Sequence, residues 1–155
     1  LRGALLSSGG RLRGPAGEFI GYFIDTSAIL DLLRLRFCYS LKPDECKGWI
    51  LPTVFLSQNT LSEMAGAGDL AQAIGMLSGT RYEFLGGQVS VSGMEKRIWI
   101  EKETRVRRYF SSGSFNAGLI FAYFWMSELE QHYFGRLLEA RGRNWNALAE
   151  EELLV

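Results

Sequence analysis

The sequence predicts an all-α fold of packed helical hairpins. Apolar residues recur at three- and four-residue spacing along several stretches, which is typical of helices with one buried face. Short clusters of glycine, proline and serine separate these stretches. The one alternating run, Val89 and Val91, is too short to form a sheet. A chain of 155 residues is long enough for one domain or for two small helical lobes.

The first helix is predicted from apolar residues spaced by three or four positions between Ile24 and Leu33. Asp25 lies where its carboxylate could cap the N-terminus of this helix by accepting hydrogen bonds from free backbone N–H groups. The residues before it are rich in glycine. We therefore expect a flexible N-terminal segment over residues 1–17 and a helical domain over residues 18–155.

Three short helices are predicted next. The first runs from Pro43 to Leu51, because proline is favoured at the first helical position and Pro52 would end the helix. The second covers Asn59–Ala65, where glycines follow. The third begins after Asp69, which can cap its N-terminus.

Three further helices complete the chain. Met94–Phe110 is predicted to be a charged helix with Phe110 among its inward-facing residues, and Phe115–Ala140 to be the longest helix. A last short helix is predicted over Asn146–Leu154. The longest apolar stretch, Ala117–Met126, is far shorter than the roughly 20 residues that a membrane-spanning helix requires.

Charge and composition narrow the classes of function. The chain has 17 basic and 17 acidic residues and a net charge of zero, so there is no overall electrostatic case for binding nucleic acid. The basic residues between Lys96 and Arg108 are interleaved with acids, which favours a solvated helix face over a phosphate-binding surface. Low net charge favours association of the chain with itself or with a permanent partner.

No residue pattern indicates catalysis, a cofactor or a metal site. The single histidine, His132, lies within a predicted helix between Glu128 and Arg136, where charged pairs along the helix surface are expected. Cys38 and Cys46 match no zinc or redox spacing, so we expect reduced thiols, with a disulfide as the alternative. We therefore predict no catalytic residue, no cofactor and no metal ligand.

Two stretches of the chain share one design. An acid is followed by a helix with a Leu-Leu pair, a basic residue, and a short acid-bearing helix that ends in aliphatic residues. The first stretch covers residues 25–52 and contains Leu32-Leu33-Arg34, and the second covers residues 128–155 and contains Leu137-Leu138. This pattern predicts an internal helical repeat.

With these residues in view, the chain resembles the AC39-like family of V-type and A-type rotary ATPases, whose members are also called C or d subunits. The segment from Leu61 to Tyr82 and the long helix with Glu128 and Glu130 follow the family pattern in order and spacing. The chain departs from that pattern at Lys42, where the family has a capping serine. Matching positions in the first stretch are Asp25, Leu32, Leu33, Arg34, Pro43 and Glu45.

The resemblance implies a non-catalytic central-stalk (rotor) subunit that couples the stalk to the membrane ring during proton or sodium transport. Its implied partners are the central-stalk subunits and the rotor ring, and its implied location is cytoplasmic and peripheral to the membrane. Family members have three related helical domains, so the chain is similar to a shortened form without the leading repeat. Expected interface residues are Asp25, Arg34, Tyr123, Trp125, Glu128, Glu130 and Arg136.

Two other functions stay open on the sequence alone. The chain could be a free-standing helical adaptor that binds another protein through the face of residues Phe115–Leu137. It could also be an enzyme with a carboxylate site formed by Asp25, Asp31 and Glu63. That site requires the three side chains to lie within about 10 Å of one another around a pocket, because proton transfer needs hydrogen-bond reach.

Overall fold

The computed structural model describes residues 14–111 and 117–142, and every regular element in these two ranges is helical. The all-α prediction is therefore confirmed. The elements are α1 (Pro15–Leu33), a π-helical turn (Arg34–Cys38), α2 (Pro43–Lys47), α3 (Gln58–Gly66), α4 (Leu70–Gly75), a 3₁₀ turn (Glu83–Leu85), α5 (Val91–Ser111) and α6 (Ala117–Gly142).

The chain divides into two compact units, Leu1–Ile98 and Trp99–Val155, which we call unit 1 and unit 2. Helix α5 contributes residues to both units. Most of the predicted flexible segment, residues 1–13, lies outside the described residues. So does the last predicted helix, Asn146–Leu154, which forms the end of the second repeated stretch.

Helix α1 begins at Pro15, nine residues before the predicted start at Ile24. Proline suits this position because its ring fixes a helical φ and its missing N–H has no partner in the first turn. Phe19 and Tyr22 are buried and extend the apolar face of the helix towards its N-terminus. Asp25 consequently lies inside the helix, and the prediction that it caps the N-terminus is wrong.

The turn after α1 places Arg36 at the C-terminus of α3. The backbone widens to a π-helical turn over Arg34–Cys38. From this turn Arg36 donates hydrogen bonds to the carbonyl oxygens of Ala65 at 3.1 Å, Leu41 at 3.3 Å and Ala67 at 3.4 Å. Since the last carbonyls of a helix have no partner within it, Arg36 stabilises the C-terminus of α3.

Local signals predicted where two short helices of unit 1 begin, but they did not predict where α2 ends. The predicted cap of α4 is confirmed, because Oδ1 of Asp69 accepts a hydrogen bond from the Gln72 N–H at 2.7 Å. Helix α2 begins at Pro43 as predicted but ends at Lys47, not at Leu51. The chain turns immediately after it, where the Trp49 N–H donates to the Cys46 carbonyl at 2.9 Å.

Both units have apolar interiors. In unit 1 the largest fully buried side chains are Tyr22, Ile29, Leu33, Leu61, Met64, Leu77, Tyr82, Leu85, Met94 and Ile98. In unit 2 the buried apolar side chains among the described residues include Val106, Ala122, Trp125 and Leu129. Phe110 was predicted to face inward and is 42% exposed. It lies four residues beyond Val106, which rotates it by about 40° towards the margin of the buried face.

Candidate functional site

The Asp25 carboxylate accepts hydrogen bonds from the 54–56 loop and from Tyr82 in unit 1. Its Oδ1 atom accepts a hydrogen bond from the Val54 N–H at 2.6 Å. Its Oδ2 atom accepts bonds from the Phe55 N–H at 2.8 Å, the Leu56 N–H at 2.9 Å and the Tyr82 hydroxyl at 2.7 Å. The residue is fully buried. These four donors compensate for the loss of water around the carboxylate. Through their hydrogen bonds, Asp25 links α1 to the 54–56 loop and to Tyr82.

Tyr82 is held in its donating form. Burial raises the pKa of its hydroxyl well above the ordinary value, and the hydrogen bond to Asp25 raises it further. The ring also stacks on Tyr22 with centroids 6.1 Å apart. The Asp25 carboxylate and the Tyr82 hydroxyl therefore form a buried pair that fixes the geometry of unit 1.

Phe55 covers the outside of this network. Its ring packs on Gly21 of α1 so closely that a Cβ atom there would lie 2.8 Å from the ring Cζ and 3.0 Å from Cδ2. The guanidinium of Arg81 lies over the same ring, 4.0 Å from its centroid, and 3.9 Å from the Glu18 carboxylate. Gly21 thus permits the close approach that seats the loop on α1.

Arg34, a predicted interface residue, has partners within unit 1. Its Nη2 atom lies 2.8 Å from Oε2 of Glu95, and its Nη1 atom lies 3.9 Å from Oδ1 of Asp31. The hydrogen bond to Glu95 raises the pKa of the guanidinium. The side chain is 39% exposed, so part of it faces solvent beside α5.

In unit 2 a lysine is buried against tryptophan rings. Lys102 is 7% exposed, and its Nζ atom lies 4.5 Å from the Trp99 centroid and 5.1 Å from the Trp125 centroid. His132 stacks on Trp99 with centroids 4.2 Å apart and an interplanar angle of 9°. Trp125, another predicted interface residue, is 6% exposed and so contributes mainly to the interior of unit 2.

A second polar cluster joins α5 to α6 in unit 2. The Tyr133 hydroxyl donates to Oε2 of Glu103 at 2.7 Å, and Arg107 donates to Oε1 of Glu103 from Nε at 2.8 Å and from Nη2 at 2.6 Å. The Tyr133 bond lowers the pKa of the Glu103 carboxyl. Burial, followed by the bond to Glu103, raises the pKa of Tyr133 to about 12.

The structure places the remaining predicted interface residues on α6. Tyr123 is 62% exposed. Glu128 and Glu130 are exposed and Arg136 is half-buried. Asp25 is buried in unit 1, where its carboxylate is occupied by groups of the chain itself. An interface role for these residues stays a prediction.

Sequence reasoning missed part of the exposed apolar surface of α6. Ile120, Phe124, Phe134 and Leu138 are 51%, 66%, 64% and 54% exposed, although they belong to a helix rich in apolar residues. Their spacing carried a signal, because Ile120 and Leu138 are 18 residues apart, which is about five helical turns. Residues so spaced lie on one side of a helix.

The acidic residues proposed as an enzyme site have different surroundings. Asp25 is buried, Glu63 is exposed, and Asp31 is half-buried beside Arg34. Within residues 14–111 and 117–142 there is no group of three or more His, Cys, Asp or Glu side chains that could hold a metal ion. Over the same ranges, no helix combines the length and apolar character needed to cross a membrane.

One protein family matches most of the chain. The family model of the ATP synthase (C/AC39) subunit matches residues 3–133. The C subunit of the A-type ATP synthase of Pyrococcus abyssi (strain GE5 / Orsay) is 36% identical to the chain over 67 residues. That alignment covers 43% of the chain and 18% of the length of the relative. No solved structure gives a significant match.

Proposed function

We propose, because this chain belongs to the ATP synthase (C/AC39) subunit family, that it is a non-catalytic subunit of the central stalk of a V-type or A-type rotary ATPase. The observation that carries the proposal is the family match over residues 3–133. In this role the chain couples the stalk to the membrane ring during proton or sodium transport. It acts at the cytoplasmic side, as a peripheral part of the complex.

The packing of unit 1 supports a mechanical role. A part that transmits torque must resist shear, and close-packed interiors deform little. The Asp25 carboxylate adds directional bonds to this packing by tying α1 to the 54–56 loop and to Tyr82. Fully satisfied buried polar networks of this kind rigidify a fold.

The chemistry of the carboxylates supports a non-catalytic role. A general base needs a free acceptor atom within reach of its substrate. Both oxygens of Asp25 accept hydrogen bonds from the chain itself. Glu103 is bonded to Tyr133 and Arg107. These two carboxylates therefore stabilise the fold.

Co-purification tests the proposal. The tagged full-length chain is recovered from its native membranes in mild detergent, and stalk and ring subunits are quantified against an unrelated tagged helical protein. We expect the stalk and ring subunits to be recovered at a fixed ratio to the chain. Recovery of the chain alone would contradict the proposal.

A helical adaptor is the second candidate function, and the exposed apolar side chains of α6 favour it. The same experiment separates the two functions. Stable association with a defined protein outside the ATPase, in the absence of stalk and ring subunits, would favour the adaptor and contradict the rotor proposal.

A further inference from the structure

Helix α6 has an exposed apolar face on the side opposite its buried residues. The buried side includes Ala122, Trp125 and Leu129. The exposed side, which we call the α6 apolar face, consists of Ile120, Tyr123, Phe124, Phe134, Leu137 and Leu138. The exposed side of α6 therefore has two apolar groups, one around Phe124 and one around Phe134, with Ser127, Glu130 and Gln131 between them, whereas the outer side of a surface helix is usually polar.

The α6 apolar face is long and large enough to bind another helix. From Ile120 to Leu138 it extends about 27 Å at 1.5 Å per residue. Tyr123, Phe124 and Phe134 are 62%, 66% and 64% exposed. With about 150–250 Å² per aromatic side chain, these three rings alone expose roughly 300–500 Å². The largest exposed apolar patch on a typical monomer is about 300–600 Å² and is often functional.

Acidic side chains lie beside and within this face. At about 100° per helical residue, Glu128 and Glu139 lie along one edge of it, and Glu130 lies between Leu137 and Tyr123 near the other edge. All three are exposed. Among the described residues, none of these three glutamates forms an ion pair. An exposed cation, Arg141, lies in the last turn of α6, beyond the apolar face.

We propose that the α6 apolar face binds an amphipathic helix of a partner subunit, and that Lys or Arg residues flank the apolar stripe of that helix. The apolar stripe covers the aromatic side chains, and the flanking cations pair with Glu128, Glu130 and Glu139. The inference deepens the proposed function, and it rests on that function for the partner being another subunit of the complex.

Charge argues against two other occupants. A second copy of the chain would bring the same three glutamates of each copy towards one another, and like charges across an interface are unfavourable. The C-terminal residues 143–155 contain Glu150, Glu151 and Glu152 against a single basic residue, Arg143. A basic-flanked helix has a charge that complements the face. Residues 1–13, with Arg2, Arg11 and Arg13 and no acid, have a complementary charge as well. The titration below is therefore repeated with a chain that lacks residues 1–13, and the lysine-flanked peptide should bind that chain with unchanged affinity.

Two helical peptides with one leucine stripe test the proposal. One peptide has lysines beside the stripe and the other has glutamates, and each is titrated with the full-length chain by fluorescence anisotropy. We expect at least tenfold tighter binding of the lysine-flanked peptide, and weaker binding at higher salt. Reversing the three charges, with Glu128→Lys, Glu130→Lys and Glu139→Lys, should invert the preference.

Aromatic variants locate the binding surface. The pair Phe124→Ala and Phe134→Ala should weaken binding of the lysine-flanked peptide at least tenfold. Trp49→Ala, which removes an aromatic side chain that is 68% exposed in unit 1, is the matched control and should leave binding unchanged. Circular dichroism shows whether each variant keeps its helices, which is expected because the replaced side chains are exposed.

Three results would overturn the inference. The first is equal affinity of the chain for the two peptides. The second is a loss of binding in Trp49→Ala as large as that in the pair Phe124→Ala and Phe134→Ala. The third is a dimer of the chain in sedimentation that Phe124→Ala and Phe134→Ala abolish. Failure here is distinct from failure of the proposed function. A chain that co-purifies with stalk and ring subunits but does not prefer the lysine-flanked peptide contradicts this inference alone.

Discussion

The Tyr82 hydroxyl donates a hydrogen bond to Oδ2 of Asp25 at 2.7 Å, although the two residues are 57 positions apart in the chain. The same carboxylate accepts three backbone N–H groups of the 54–56 loop. One buried charge therefore joins α1, the loop before α3 and the segment before the 3₁₀ turn. The rigidity of unit 1 depends on it.

Replacing Asp25 by asparagine should destabilise the chain strongly. The amide keeps the shape of the side chain but has only one acceptor oxygen, and its NH₂ group would face buried donors. We expect the free energy of unfolding to fall by about 2–4 kcal/mol in urea denaturation. Asp31→Asn, at a half-exposed acid of the same helix, should change it by at most about 0.5 kcal/mol. Equal effects of the two variants would contradict the role of Asp25.

Gly21→Ala should destabilise the wild type and stabilise the Phe55→Ala variant. In the wild type the new Cβ collides with the Phe55 ring, and we expect a loss of about 1–3 kcal/mol. After Phe55→Ala the collision is gone, and the higher helix propensity of alanine should stabilise by about 0.5–1 kcal/mol. Gly135→Ala, with no atom within 4 Å of its Cβ position in α6, should stabilise in either background. Thermal unfolding of the six proteins, namely the wild type and Phe55→Ala, each alone and with either glycine substitution, decides whether the sign changes.

Lys102→Gln should destabilise unit 2. The substitution removes a cation held 4.5 Å from Trp99 and 5.1 Å from Trp125, and we expect a loss of about 1–2 kcal/mol. Tryptophan fluorescence should change as well, because the charge near two rings is lost. Lys96→Gln, at an exposed position of α5, should stay within about 0.5 kcal/mol of the wild type. Indistinguishable unfolding of the two variants would refute this role.

The hydrogen bond between Tyr133 and Glu103 should contribute to stability only within a range of pH, with a loss at high pH and another at low pH. The pKa of Tyr133 is raised from 10.0 to about 12, so its contribution to stability is complete below about pH 10 and disappears as the pH rises towards 12. The pKa of Glu103 is lowered from 4.5, so its contribution is present above that pH and is lost as the pH falls through the lowered value.

We therefore expect the stability difference between wild type and Tyr133→Phe to be largest between about pH 5 and pH 9. It should narrow at both extremes, as measured by denaturation at a series of pH values. Tyr123→Phe is the matched control, because Tyr123 is 62% exposed, and its difference should stay small at every pH. A difference for Tyr133→Phe that is constant from pH 4 to pH 11 would contradict the arrangement.

The sequence predicted those features whose partners are close in the chain. Asp69 caps a helix that begins at the next residue, so local chemistry was sufficient. The partners of Asp25 lie 29 to 57 residues away and become neighbours only when unit 1 folds. From neighbouring residues alone, Asp25 was therefore predicted to cap a helix N-terminus, where aspartate is common.

Glycine and aromatic residues account for the other differences between the predictions from sequence and the structure. Gly17 was predicted to end the flexible N-terminal segment, yet it lies in the first turn of α1. Gly21 of the same helix makes room for Phe55. Helical periodicity identified α6, but it could not show which side is covered, because large apolar residues occur on both sides of the helix. Exposure of Phe124 and Phe134 required the structure.

Coupling measured in native membrane vesicles tests the central claim most directly. Vesicles from cells that lack the chain are compared with vesicles to which the purified chain has been returned, and ATP hydrolysis and ATP-driven ion uptake are measured in both. The rotor role predicts that hydrolysis persists without the chain while ion uptake is lost, and that the returned chain restores uptake. Ion uptake that proceeds at the same rate without the chain would contradict it.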